Sequence, residues 1–419
     1  MRRSTPRLTG VALVMIAGLV LVGCSSKSAA GTSGGGSPAS ANASSSAAAG
    51  GGGALTIQPL VQVDSSGKEV TASASTAPAD PAGDGKATCS GVAIAMMGAL
   101  TGANAALGQN IVNGVQLAID EHNAANSGCQ VQLKKFDTEG APEKATQVAP
   151  SVVSDSSVIG IVGPAFSGES KATGPVFSQA NLLMLTPSAT NPSLTQQGWK
   201  NFFRGLGNDN SQGAAAANYM TGALGYKKVC VVQDDSDYGV GLAQVVTKTL
   251  GSAADSACAG KVKTGDKDFS ATVQLIKSES PDAIYYAGYY AEAAPFLSQL
   301  RSAGVTAAFV SDDGVNDPQL IKQAGSAAKG AYLTCPCGPA PQAYAAKYQA
   351  KFGQASGTYS VEGYDLATII LKGIDSGVKD RQGMVNFVAN YDGQGLAKHY
   401  KWDSTGELGA TTTWIYQVK

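Results

Sequence analysis

From about residue 91 onward the chain repeats one pattern. A short apolar run stops abruptly at Gly, Pro, Asp or hydroxyl residues, and a longer stretch follows whose apolar positions recur three or four apart. The short runs read as buried strands, predicted at 91–99, 130–136, 158–162, 182–186, 227–233, near 259, 282–287 and 307–311. Helices are predicted between them, among others at 211–223, 239–253, 270–278 and 291–303. Such alternation implies an α/β chain with parallel sheets covered on both faces. Helices dominate from Pro341 to Val388, and HYKWDSTGELGATTTWIYQVK, starting at His399, reads as a closing hairpin.

In sheets of this kind ligands bind beyond the carboxyl ends of the strands. The stretch VIGIVGPAFSGES, with LLMLTPSATNPSL after it, sets Ser167, Ser188 and Thr190 at two such ends. Hydroxyls and the open N–H groups of a helix start can hold a carboxylate there. Taken singly these residues are ordinary helix caps, but two such turns in succession favour a site. Later strand ends carry DDSDY (Asp234 to Tyr238), Tyr289 with Tyr290, and Asp312 with Asp313. Neutral donors on one side and carboxylates with phenols on the other suit a zwitterion, its ammonium meeting an acid and an aromatic face.

The first residues change the picture of where the protein works. MRRSTPRLTG is a charged leader, VALVMIAGLVLVG is shorter than the ~20 residues that span a bilayer, and together they read as a secretion signal over 1–23. Leu21, Val22, Gly23 and Cys24 resemble a bacterial lipoprotein box, so Cys24 is the expected lipidation site, tethering the protein to the outer face of the cell membrane. Residues 24–87, rich in Ser, Ala, Gly and Thr, read as a flexible linker, in which ALTIQPLVQV is too brief a patch to count as a domain. GDGKAT lacks the first Gly and the hydroxyl of a phosphate loop.

Net charge is −1 with both signs scattered, which leaves no basic footprint for nucleic acid. Beyond Cys24 six cysteines remain, an even number that suits disulfides in an exported chain. Cys89 with Cys129, and Cys230 with Cys258, flank strands that should be neighbours. Cys335 and Cys337 read either as a ring closed over one proline or as two thiols. A metal site has little support, because His122 and His399 are the only histidines and no second half-site accompanies CPC. No cofactor is expected.

The blocks GALTGANAALG, FDTEGAP, IVGPAFSGES, LTPSATNPSLT, FFRGLGNDNSQG, VVQDDSDYGVGLA, DDGVND and YKWDSTGEL, in this order, resemble the leucine/isoleucine/valine-binding proteins, the type I solute-binding components of ABC importers. The resemblance implies two Rossmann-like lobes joined by three crossovers, near Leu206 to Asp209, Thr334 to Gly338 and Lys398 to Trp402, with the ligand in the cleft between them. Lobe 1 would hold 88–207 with 338–398, and lobe 2 would hold 208–337 with 399–419. It places Ser167, Ser188, Ala189 and Thr190 on the ligand's carboxylate, Tyr238, Tyr289 and Asp313 on its ammonium, and Tyr359 beside its side chain. Leu107 stands where the branched-chain binders carry Tyr at the pocket mouth, and Asp313 where they carry Glu. The implied partners are a neutral amino acid and a membrane permease, and the implied state is a monomer.

Other classes fare worse. An esterase elbow would need glycines at Ala165 and Glu169 around Ser167, so enzymatic activity is not expected. DDSDYG lacks the spacing of a calcium loop. An amide or urea binder would have no use for an acid facing an ammonium, and a sensory receptor on the same lobes would add a membrane span and a signalling domain.

Overall fold

The computed structural model describes residues 54–71 and 77–419. The signal segment, Cys24 and the tether as far as residue 53 lie outside the described residues. No described helix is long and apolar enough to cross a membrane.

After an initial strand, β1 (Ile57–Val63), the chain builds a parallel sheet from β2 (Ala93–Gly98), β3 (Gln132–Asp137), β4 (Val158–Val162), β5 (Leu183–Thr186) and β6 (Phe202–Arg204), in the order β3-β2-β4-β5-β6. Helices α1 (Ala105–Ala125), α2 (Pro142–Ser154) and α3 (Ser167–Gln179) make the connections. A second sheet follows, from β7 (Val229–Gln233), β8 (Gly260–Lys261), β9 (Ala283–Ala287), β10 (Ala308–Ser311) and β11 (Tyr332–Cys335). It is interleaved with α4 (Asp209–Asn218), α5 (Asp237–Leu250), α6 (Ser270–Glu279), α7 (Tyr290–Ser302) and α8 (Pro318–Ala324). The inner strands β2, β4, β5, β7 and β9 are buried almost without interruption, as parallel strands covered on two faces must be, whereas the edge strands β3 and β8 are partly exposed. Helix starts sit just past strand ends and are capped by side chains there: Asn208 for α4, Ser236 for α5 and Asp317 for α8.

The chain then returns to the first lobe with α9 (Gln342–Phe352), α10 (Ser360–Asp375) and α11 (Arg381–Ala389). Helix α10 lies directly on α1. A Cβ on Gly114 would stand 2.1 Å from the Ser360 carbonyl oxygen, so only glycine permits this approach. Arg381 fastens α11 by donating to the carbonyls of Val153, Asp155 and Val158 at 2.9 to 3.0 Å. Two antiparallel strands, β12 (Asp392–Gln394) and β13 (His399–Lys401), form a small separate sheet, and β14 (Thr413–Val418) ends the chain.

Three expectations are corrected here. The closing hairpin is divided: β13 pairs with β12, whereas β14 enters the larger sheet beside β11. The third crossing consequently falls later than Lys398 to Trp402. Trp402 Nε1 donates to the Arg204 carbonyl at 2.6 Å and Arg204 N–H to the Gly406 carbonyl at 2.9 Å, so residues 399–407 stay on β6 of the first lobe. Nothing in the run LGATTT marked where the chain leaves the first lobe, and tertiary contacts decided the point of exit.

The third correction concerns the linker. β1 pairs antiparallel with β14 from Ile57↔Val418 to Val63↔Thr413 and becomes the edge of a seven-stranded sheet, order β1-β14-β11-β10-β9-β7-β8. Val63 is wholly buried with Ala215 and Ile415. Further along, Ala79 N–H donates to the Gln394 carbonyl at 2.7 Å and Asn126 Nδ2 to the Ala82 carbonyl at 2.9 Å. The segment ahead of β2 is thus packed on both lobes. Its alternating apolar residues found a partner strand more than three hundred positions away, which local composition could not reveal.

The structure joins Cys89 to Cys129, Cys230 to Cys258, and Cys335 to Cys337, with Cα separations of 4.4, 5.3 and 4.9 Å. The last pair closes the end of β11 where the chain crosses back toward α9.

If β1 is part of the folded body, Val63→Ala should lower the unfolding free energy by about 2 kcal/mol, the loss of two buried carbons and the cavity they leave. Urea denaturation reads this directly, and an unchanged midpoint would restore the linker reading.

Candidate ligand cleft

The cleft is built around a carboxyl group. Asp313, the second residue after β10, has no exposed surface. Its Oδ1 accepts from Tyr238 Oη at 2.5 Å and from Gln212 Nε2 at 2.6 Å, and its Oδ2 accepts from Tyr359 Oη at 2.5 Å. Tyr238 comes from the first turn of α5 and Gln212 from α4, both in the second lobe. Tyr359 precedes α10, in the first. One carboxyl therefore draws donors across the cleft.

Tyr359 reaches it from a left-handed backbone, φ 68°, which costs a non-glycine residue about 1 kcal/mol or more. The conformation is held at several points. Thr358 Oγ1 donates to the Asn316 carbonyl, across the lobes, and Tyr344 Oη donates to the Ser360 carbonyl at 2.8 Å. Other bonds between lobes lie nearby: Asn110 Nδ2 to Asp317 at 3.2 Å, Asn191 Nδ2 to the Asp237 carbonyl at 2.6 Å, and Lys171 Nζ to Asp237 at 2.6 Å.

Tyr289 stands next to the acid without bonding to it. Its ring lies 4.6 Å from that of Phe166 in the first lobe and 5.3 Å from that of Tyr238 in the second. These rings, with Tyr359 bonded to the acid, gather aromatic faces beside Asp313. Cavities of about 370 Å³, beside Asn104, Glu139 and Asp235, and about 540 Å³, beside Ala106, Asn110 and Asp317, open the cleft on two sides.

On the opposite wall Ser167 opens α3, and its Oγ accepts from the Asn191 N–H at 3.2 Å. Ser188 Oγ donates to the Ala165 carbonyl at 2.6 Å, and Ala189 and Thr190 are fully buried. Among the described residues no hydrogen-bond partner meets Thr190 Oγ1. Glu169 closes the α3 start, accepting from the Phe166 N–H at 2.7 Å and from the Thr138 hydroxyl. Leu107 is not a rim residue: it has no exposed surface and packs into the core from α1. The start of α1 folds inward more than the sequence could show.

The residues that sequence reasoning passed over are Phe166, Gln212, Asp209 and Arg204. Each carried a faint signal. Arg204 is a lone charge in an apolar strand, Gln212 and Asp209 are polar at the start of an alanine-rich helix, and Phe166 is a large ring in a glycine turn.

The site is rich in acid. Burial pushes the carboxyl of Asp209 up to about 8, with repulsion from Asp313 adding to it. Burial likewise pushes Asp234 and Glu169 up to about 7. Asp312 lies beside Asp313, and burial raises both; three donors favour the ionised form of Asp313, so Asp312 is the one that keeps its proton. A cationic ligand group would be drawn to Asp313, the member of this cluster whose ionised form is hydrogen-bonded.

The family described as periplasmic binding protein matches residues 91–419. The chain belongs to that family. A leucine-, isoleucine-, valine-, threonine- and alanine-binding protein of Pseudomonas aeruginosa is 32% identical over 68% of this chain and 78% of its own length. Another Pseudomonas aeruginosa relative, an amino acid binding protein, is 30% identical over 78% of this chain and 90% of its own. Among solved structures, the branched-chain amino acid transporter substrate binding protein LivJ from Streptococcus pneumoniae, in complex with isoleucine, has a TM-score of 0.72 at 27% identity, covering 78% of this chain and 99% of that one. The leucine binding protein LivK from Thermotoga maritima has a TM-score of 0.70 at 29% identity, covering 78% and 97%. The fold is that of a type I periplasmic binding protein with Rossmann-like lobes, and the relatives are binding proteins rather than enzymes. The family match in this binding protein begins after β1 and Cys89.

The raised carboxyls give a pH dependence of definite sign. Each keeps its proton in the folded chain at a pH where the unfolded chain, near its ordinary value of about 4, releases it. Folding then takes up protons, so this contribution is complete below about 4 and is lost as pH climbs past 7 to 8. The ligand-free protein should be less stable at about pH 8 than at about pH 5, by about 3 kcal/mol or more. Urea denaturation at the two values checks it, and a stability that rises with pH would contradict it.

Proposed function

We propose that this binding protein captures a neutral L-amino acid, of the branched-chain class, between its lobes and hands it to the permease of an ABC importer. One observation carries the reading: a buried Asp313 receives donors from both lobes, two of them phenols. The carboxylate of the ligand docks on Ser167, Ser188, Ala189 and Thr190, and its ammonium on Asp313 with Tyr238 and Tyr289. Tyr359 flanks the side chain. Asp313 is one methylene shorter than Glu, which moves the ammonium toward the second lobe or brings in a bridging water.

Because these groups belong to two lobes, a ligand gains its full set of contacts only when the lobes are together, and that difference in affinity favours the closed form. Lipidation at Cys24, a place on the outer face of the membrane and a monomeric state complete the proposal. The residues ahead of 54 act as the tether. Lobe 1 is taken as 88–207 with 338–407 and lobe 2 as 208–337 with 408–419, the second lobe also receiving β1.

Calorimetric titration with leucine, isoleucine, valine, threonine and alanine tests the ligand class. Asp313→Asn should cost about 1.5–3 kcal/mol of binding, roughly tenfold to a hundredfold in affinity, since it removes a charge-assisted contact. Leu107→Ala should lower stability but change affinity less, because Leu107 is a core residue. Equal affinities in wild type and Asp313→Asn would sink the zwitterion model.

A further inference from the structure

One side chain holds the Ser188–Asn191 turn from behind. Arg204 ends β6 and has no exposed surface. Its Nη1 donates to the Ala189 carbonyl, and its Nη2 donates to the Asn191 carbonyl at 3.0 Å. Its other edge meets Glu407, Nε to Oε2 at 3.1 Å and Nη2 to Oε1 at 3.0 Å. Glu407 in turn accepts from Thr195 Oγ1 at 2.8 Å. A single planar cation thereby gathers both carbonyls that flank Thr190 and ties them to the 402–408 turn.

This arrangement has a consequence for the opposite side of the turn. A peptide unit is planar and trans, so its C=O and N–H point in opposite directions. Once the Ala189 carbonyl is fixed on Arg204, the Thr190 N–H must point away from the guanidinium. The Thr190 hydroxyl, buried and without a hydrogen-bond partner among the described residues, belongs to the same residue. Glu407 neutralises the Arg204 charge, so the arginine works through direction rather than through long-range attraction.

We infer that Arg204 is a positioning residue for carboxylate recognition: without touching the ligand, it turns the Thr190 N–H toward the cleft and so makes the wall prefer a carboxylate to a neutral amide. The inference rests on the amino-acid reading given above. Lysine cannot replace it, because one ammonium cannot serve two carbonyls and a carboxylate in a fixed plane. Glu407 keeps the guanidinium from rotating out of that plane.

The test compares L-leucine with L-leucinamide by competition calorimetry, in wild type, Arg204→Lys and Glu407→Ala, all as the full chain. In Arg204→Lys the affinity for L-leucine should fall by about tenfold to a hundredfold while that for L-leucinamide moves by less than about threefold, so that discrimination collapses. A purely structural arginine would weaken both ligands equally, and that result would overturn the inference, as would unchanged affinity for L-leucine. Glu407→Ala leaves Arg204 in place and should reduce discrimination by about threefold or more. Should Arg204→Lys fail to fold, Glu407→Ala carries the test alone, and full discrimination there would overturn the inference. A wild type that binds no L-amino acid would remove the amino-acid reading itself, whereas a wild type that binds L-leucine isolates the outcome to Arg204.

Discussion

The cleft depends on how a carboxyl group can be kept out of water. Taking an ionised carboxylate into the interior costs several kcal/mol, and each hydrogen bond to a charged group returns about 1.5–3 kcal/mol. Asp313 has three such bonds, from Tyr238, Gln212 and Tyr359. Cost and return are of the same size, so the site is nearly balanced, and the donors themselves are neutral. A positive group brought by a ligand shifts that balance. Because Tyr359 belongs to one lobe and Tyr238 to the other, the group that needs neutralising is also the group on which the lobes meet.

The surrounding acids sharpen this logic. Asp209, Asp234 and Asp312 are buried with their ionisation suppressed. A neutral acid can stand near a binding site without repelling the carboxylate of a zwitterion. Asp209 feels both partners of the site, repulsion from Asp313 and attraction from Arg204, on top of its burial. The same low-dielectric setting strengthens every contact made inside the closed cleft.

Added structure before residue 91 sets this chain apart from the region it shares with its relatives. β1 widens the second-lobe sheet, and the residues after it dock on the first lobe near Asn126 and Gln394. Pro59 and the register shift between Pro59 and Val61 interrupt the new edge. An interrupted, proline-bearing edge resists pairing with a second chain, which suits a strand on the outside of a sheet.

Much of this was legible in the residues. The alternation of short apolar runs with amphipathic stretches specified parallel sheets, because burial on both faces requires continuous apolar strands, and β4 ran over the predicted 158–162. Strand-end chemistry at Ser167, Ser188, Tyr238 and Asp313 was visible because strand ends are where helix starts and turns put polar groups. What the sequence could not decide were pairings between distant segments. β1 with β14, residues 399–407 on β6, and the burial of Leu107 each depend on where two remote surfaces meet. Local periodicity says that a face wants cover, and only the assembled chain says what covers it. Arg204 shows the same division: its charge in an apolar strand marked it as unusual, and the carbonyls it orients became known only when the turn folded onto it.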